Sequence, residues 1–185
     1  MSWQRLACGL LLVSPLLLLH RKKKRNIAMA DTSSSTTNIV NANIRAFLIM
    51  LQHSEGTYGP DAYKKLYGGG LMFSSYANHP NTAIRKWGIT STAAGAYQFL
   101  YGTWNTLKKQ LSLPDFSPKS QDRAALELIR MKGALPDIAA GRIAMAIQKC
   151  RKIWASLPGA GYGQNTRSLS ELLMVYQQNG GQLVG

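Results

Sequence analysis

Apolar and polar positions alternate at helical spacing along most of the chain and lose that spacing in one long polar stretch. From residue 38 or 41 to residue 53, Ile44, Phe47, Leu48 and Leu51 recur at i, i+3, i+4 and i+7. This predicts a helix with a single buried stripe, capped by Asn38 or Asn41 and stopped at Gly56. Residues 58–100 are instead rich in Gly, Ser, Thr, Asn and aromatic side chains, including Gly68-Gly69-Gly70, Asn78-His79-Pro80 and Gly88-Ile89-Thr90-Ser91-Thr92. Turn residues between short β-prone pieces predict a small antiparallel sheet with loops.

Helical spacing then returns. Leu100, Trp104, Leu107 and Leu111 form a stripe whose opposite side carries Lys108, Lys109 and Gln110. Ser117-Pro118 supplies an N-cap and a proline at the first helical position, and Gly133 closes that helix after Met131-Lys132. A further helix is expected over 142–155, with Ile143, Ile147, Cys150 and Trp154 inward. The last opens on the capping box Ser168-Leu169-Ser170-Glu171, buries Leu169, Leu172, Leu173 and Tyr176, and stops at Gly180-Gly181. The expected class is α+β, mainly helical, with a small antiparallel β insert after the first helix and no internal repeat.

The ends are read separately. Residues 6–19 are mainly apolar and are followed by His20-Arg21-Lys22-Lys23-Lys24-Arg25. The run is shorter than the ~20 residues of a usual spanning helix, and its cations follow the apolar core where a secretory signal would place them before it. Residues 1–28 are therefore either a short anchor or an upstream extension of a product that starts at Met29, and the second reading is preferred. Residues 29–40 are expected to be a flexible polar segment, and 41–185 one globular domain.

The chain carries 22 Lys plus Arg against 8 Asp plus Glu, a net +14 that suits a polyanionic partner. Residues 29–185 hold 16 of the cations and all the acids, so the body is at +8 and moderately basic. Nothing in the body interleaves basic and aromatic residues as a nucleic-acid surface would. Cys8 and Cys150 are too few for a disulfide framework or a cysteine cage, and Cys150 lies at an apolar helical position as a buried thiol would.

Chemistry centres on Ser54-Glu55-Gly56-Thr57. A carboxyl group at the C-terminal end of a helix meets partial negative charge, and an apolar pocket penalises its ionised form; both raise its pKa toward that of a proton donor. An exposed acid beyond a helix end is the plainer alternative. Glycosidases normally use two carboxyl groups, about 5 to 9.5 Å apart. The only acid nearby in sequence is Asp61, and residues 62–114 contain none. His53 and His79 show no metal-binding spacing, and the three glycines lack the Lys-Ser/Thr of a phosphate loop. Tyr97, Gln98, Tyr162 and Gln164 pair aromatics with amides, which suits sugar faces and hydroxyls but suits helix packing as well.

Together these motifs resemble the family of the phage lambda endolysins, lytic transglycosylases often called lambda lysozymes. The similar runs are Ser54-Glu55-Gly56-Thr57, Phe73-x-x-Tyr76-x-x-His79-Pro80, Ser91-Thr92-Ala93-Ala94-Gly95-Ala96-Tyr97-Gln98, Asp115-Phe116-Ser117-Pro118-Lys119-Ser120-Gln121-Asp122, Lys132-Gly133-Ala134-Leu135-Pro136, and the stretch from Ile153 through Tyr162 to Gln164. They occur in family order over about residues 44–181. Asn78, Ala93 and the Tyr63-Lys64-Lys65-Leu66 run depart from the family pattern.

The resemblance implies a lysozyme-like fold and cleavage of the β-1,4 bond from N-acetylmuramic acid to N-acetylglucosamine in peptidoglycan, leaving 1,6-anhydro ends. It places the catalytic glutamate at Glu55 and substrate contacts at Thr57, Tyr76, Thr92, Tyr97, Gln98, Tyr162 and Gln164. The expected partner is the glycan strand, with no cofactor, metal or nucleic acid and a single copy of the chain. With a start at Met29 the enzyme waits in the host cytoplasm for a separate holin to release it to the periplasm; with the leader retained it is membrane-associated. Competing expectations are a hydrolytic lysozyme, with Asp61 or another group activating water, and a basic wall-binding or nucleic-acid-binding protein without catalysis.

Overall fold

The first helix, α1, spans Pro15–Ser54 and is far longer than its apolar stripe predicts. No Gly or Pro interrupts the sequence after Pro15, so each added residue gains a backbone hydrogen bond and the helix propagates. Residues 29–40, expected to be flexible, are helical, and Asn38 and Asn41 sit within the helix instead of capping it. The structure is a computed structural model that describes residues 15–161 and 166–184, with side chains described from residue 34 onward. The apolar run 6–19 lies outside the described side chains. Among the described residues no helix is long and apolar enough to cross a membrane.

Two units are distinguished, Met1–Asn38 and Ile39–Gly185. The second contains the end of α1, a 3-10 turn Ala62–Lys64, the strands β1 (Ile84–Lys86) and β2 (Ile89–Ser91), and the helices α2 (Tyr101–Leu111), α3 (Pro118–Met131), α4 (Leu135–Ala139), α5 (Ile143–Cys150) and α6 (Leu169–Gln178). β1 and β2 pair antiparallel with Lys86 opposite Ile89. Single bridges Lys65 to Met72, Leu66 to Ala94 and Ala94 to Phe99 gather the rest of the insert. The expected mainly helical α+β class with a small antiparallel insert is the observed one.

The apolar stripe of α1 enters the core as predicted, with Phe47 and Leu51 fully buried, and Met50, outside that stripe, is fully buried as well. Trp104 of α2 meets Phe116 edge to face at 4.5 Å, and Phe99 and Phe73 close the same aromatic cluster. Asn43, buried on α1, donates from Nδ2 to the Ala139 carbonyl and accepts from the Gln182 amide, tying α1 to α4 and the C-terminal tail. Asp137 is held by Lys149 at 2.5 Å and Arg142 at 2.9 Å, so its carboxyl lies below the usual range and α4 is clamped to α5.

Several predicted boundaries move. α5 stops at Cys150, four residues past Ala146 and short of Ala155; the Ile153 amide reaches back to the Cys150 carbonyl in a tighter turn, which still delivers Trp154 to the core. Leu100 precedes α2 and is exposed, and Leu169 is exposed at the first position of α6, where the packed face runs out. Ser117 stands at the N-cap of α3 without using its side chain as the cap; Asp115 takes the Ser117 amide and the Ser120 hydroxyl instead. At α6 Ser168 does cap, accepting from the Glu171 amide at 3.1 Å. Cys150 is fully buried and burial pushes its thiol up to about 12.

Gln121 of α3 fastens the insert to the helices. It is fully buried, accepts from the Ala96 amide at 2.9 Å, and donates to the carbonyls of Phe116 and Tyr63 at 2.8 and 3.0 Å. The adjacent Gly95 has φ +78, and a methyl group there would collide with the Gln121 side-chain oxygen and press on Phe116. Gly95→Ala combines left-handed strain with loss of buried hydrogen bonds and is expected to destabilise the fold by about 2–4 kcal/mol, measured as a fall in the urea unfolding midpoint.

Candidate functional site

The chain reverses direction immediately after α1. Glu55 N–H donates to the Leu51 carbonyl at 2.9 Å, Gly56 N–H to His53 at 3.0 Å, and the Thr57 and Tyr58 amides both to Gln52 at 2.9 and 3.2 Å. Gly56 has φ +69, the left-handed conformation that lets amides fold back onto the last helical carbonyls. Glu55 is thereby fixed, half-buried, at the negative end of a helix.

Its carboxyl is satisfied from the far end of the sequence. Ser156 Oγ donates to Glu55 Oε1 at 2.5 Å, and Ser54 Oγ donates to Ser156 Oγ at 2.8 Å. Burial raises the Glu55 pKa to about 7, and the Ser156 hydrogen bond opposes that rise because it favours the ionised form. A carboxyl that titrates there is able both to give and to take a proton near neutral pH.

Beneath Glu55 the turn is anchored to the insert. Thr57 is buried and its hydroxyl donates to the Ala96 carbonyl at 2.6 Å. Gln52 Nε2 donates to the hydroxyls of Tyr63 and Tyr97, and both phenols donate in turn to Asp122 Oδ1, at 2.9 and 2.6 Å. Burial raises the Asp122 pKa while the two phenols pull it down. Trp154 Nε1 donates to the Tyr97 carbonyl at 3.2 Å, joining the loop before Ser156 to the same network.

Among the residues the sequence singles out, Glu55, Thr57 and Tyr97 converge on the end of α1, with Thr57 and Tyr97 facing inward as supports. Gln98 has φ +50 and folds its amide onto the Gly95 carbonyl at 2.9 Å. Tyr76 is half-buried against Phe73, with the Lys64 ammonium 5.6 Å from its ring centre. Thr92 accepts from the Tyr101 amide at 3.2 Å and serves the start of α2. Tyr162 and Gln164 lie outside the described residues. Ser156 is the residue at this site that sequence reasoning missed; the turn-rich run around it carries no spacing signal that would pair it with Glu55.

Most other acids of the chain are engaged elsewhere. Asp115 serves α3, Asp122 the two phenols, Asp137 the cations of α5 and its flank, Glu127 pairs with Arg130, and Glu171 with His53 and Arg167. Asp61 is exposed; burial, and after it the Asp61 charge, raises the pKa of the Tyr76 phenol. His79 is buried, with Nε2 on the Phe99 carbonyl and Nδ1 accepting from the Asn81 amide. No three His, Cys, Asp or Glu side chains converge as a metal site among the described residues.

Comparison with known proteins matches residues 45–183 to the family model described as Endolysin. The endolysin of Escherichia phage P2 is 49% identical over 154 residues, spanning 75% of this chain and 93% of that protein. The endolysin of Escherichia phage lambda is 44% identical over 148 residues, spanning 77% and 94%. Among solved structures, bacteriophage lambda lysozyme complexed with a chitohexasaccharide superposes with a TM-score of 0.74 at 43% identity, over 77% of this chain and 97% of that one. A second lysozyme structure from bacteriophage lambda gives 0.71 at 41% identity over the same shares.

Because native Glu55 keeps its proton up to about pH 7 while the unfolded chain releases it near 4.5, the wild type loses stability as the pH rises through that window. Glu55→Gln never ionises. It is expected to equal the wild type below the window and to exceed it above pH 7 by up to roughly 3 kcal/mol in urea unfolding. Ser156→Ala removes a donor to the ionised form, so the Glu55 titration followed by carbon-13 NMR is expected to move further upward.

Proposed function

The chain belongs to the endolysin family and is a peptidoglycan-cleaving enzyme of bacterial lysis, and on that premise we propose that it works as a lytic transglycosylase with Glu55 as acid and then base. The supporting observation is a desolvated carboxyl, raised to about 7 and hydrogen-bonded to a serine, with Asp122, the carboxylate below the turn, committed to two phenols. The basic, non-catalytic alternative gives way to the family membership.

In this reading protonated Glu55 donates to the oxygen between N-acetylmuramic acid and N-acetylglucosamine. The bond from that oxygen to the muramic C1 breaks, and the substrate's own N-acetyl oxygen stabilises the cationic carbon. Ionised Glu55 then takes the proton of the C6 hydroxyl as its oxygen bonds to C1, closing a 1,6-anhydro ring and returning the carboxyl to its starting state. Water takes no part, so a second carboxylate to activate it is unnecessary. Ser156 steadies the carboxylate between the two steps, and a pKa near 7 keeps each proton transfer close to balanced.

The substrate is the glycan strand of peptidoglycan, met by one copy of the chain. With translation from Met29 the enzyme is held in the host cytoplasm until a separate holin opens the membrane; with residues 1–28 retained it is membrane-associated. Intact-mass measurement of the native product separates the two, and a mass that lacks residues 1–28 is the expected result.

Digestion of purified murein by the full chain is expected to yield muropeptides with anhydromuramic ends, identified by mass spectrometry. Reducing muramic ends would convert the mechanism to hydrolysis. Glu55→Gln is expected to abolish cleavage while leaving the folded state intact by circular dichroism.

A further inference from the structure

The hairpin between β1 and β2 turns on two residues, Trp87 and Gly88, with φ of +50 and +76. Two positive φ values between paired Lys86 and Ile89 define the type I′ turn that Asn-Gly forms without strain. A bulky aromatic in the first of these positions pays a conformational penalty. Burial does not offset it, because Trp87 is 73% exposed, more than any other large apolar side chain among the described residues. A strained and exposed tryptophan lowers stability on both counts, and such outliers collect where a ligand is held.

The ring is nonetheless fixed in place. The Lys86 ammonium stands 4.4 Å from the Trp87 ring centre and also donates to the Gly68 carbonyl at 2.7 Å. Tyr67 meets Trp87 edge to face at 6.1 Å. The tip is thus bolted to the loop of residues 67–69. That loop reaches the catalytic turn, since a methyl group on Gly69 would lie 3.9 Å from the carbonyl oxygen of Gly56, next to Glu55. A side chain on Gly68 would collide with Lys86, so the close approach depends on glycine.

We propose that Trp87, braced by Lys86 and Tyr67, is the stacking platform of an outlying sugar subsite that grips the same glycan strand Glu55 cleaves. An aromatic ring offers its flat face to the C–H face of a pyranose, and a ring immobilised beforehand loses little freedom on binding. The glycan is favoured over a lipid surface because the loop that braces the platform lies against the turn that carries Glu55. This subsite rests on the glycan-cleavage reading of Glu55 and extends it.

The test uses the full chain in an inactive Glu55→Gln background, titrated calorimetrically with glycan strands released from peptidoglycan and, separately, with phosphatidylglycerol vesicles. Adding Trp87→Asn is expected to weaken glycan binding about tenfold, and adding Trp87→Tyr to restore most of it. Since Asn-Gly suits the turn, Trp87→Asn is also expected to raise the melting temperature, the opposite of what loss of a structural residue would do. Unchanged glycan affinity in Trp87→Asn overturns the proposal, as does a loss confined to the vesicles. Retained murein cleavage by Glu55→Gln alone would instead sink the assignment of the acid, and leaves the binding comparison readable by itself.

Discussion

Keeping one carboxyl group out of water at the carbonyl end of a helix is the constraint from which the rest of the architecture follows. The position is unfavourable twice over, through desolvation and through the negative end of α1, and it persists because the surroundings are over-determined. The turn after Glu55 closes on Gln52, Gln52 reaches the two phenols, and the phenols converge on Asp122 of α3. From the other side Trp154 and Ser156 bring in the loop after α5. Three separate parts of the chain thus hold one short turn still.

The polar atoms that do this are internal and paired, with no buried side-chain nitrogen or oxygen left without a partner among the described residues. In a low-dielectric interior a complete network stiffens a site, whereas an incomplete one would cost more than an apolar core. Gln121 shows the same economy: one amide satisfies two carbonyls and one N–H across the junction of insert and helices. Its closeness to Gly95 explains why no side chain stands there.

The fold was legible where a local rule decides the outcome. Periodicity placed the stripes of α1 and α2, Ser117-Pro118 and Gly133 bracketed α3, and the Ser168 cap is visible in four residues. The length of α1 was hidden, because low-propensity Ser and Thr suggest a break that only Gly or Pro would have imposed. The end of α5 was hidden for a different reason: Trp154 keeps helical spacing although the chain has already tightened beneath it. At the site, Glu55 announced itself through its turn, while Ser156 is 101 residues away and nothing in the spacing of either residue points to the other. Tyr97 reads equally well as a ligand contact or as packing, and Thr57 is a contact only by resemblance; the path of their hydroxyls, inward to Asp122 and Ala96, makes both of them supports of the turn.

That separation between Glu55 and Ser156 also bears on when the acid comes into being. A ribosome delivers the chain from its amino end, so the carboxyl is made early and its hydroxyl partner late. Closing a contact so distant in sequence has to overcome loop entropy. Until the segment beyond α5 is synthesised and docked, the Ser156 hydroxyl that Glu55 accepts from is not in place. The hydrogen-bonded pair is therefore a property of the chain beyond Ser156, and a shorter nascent fragment carries the acid without this partner.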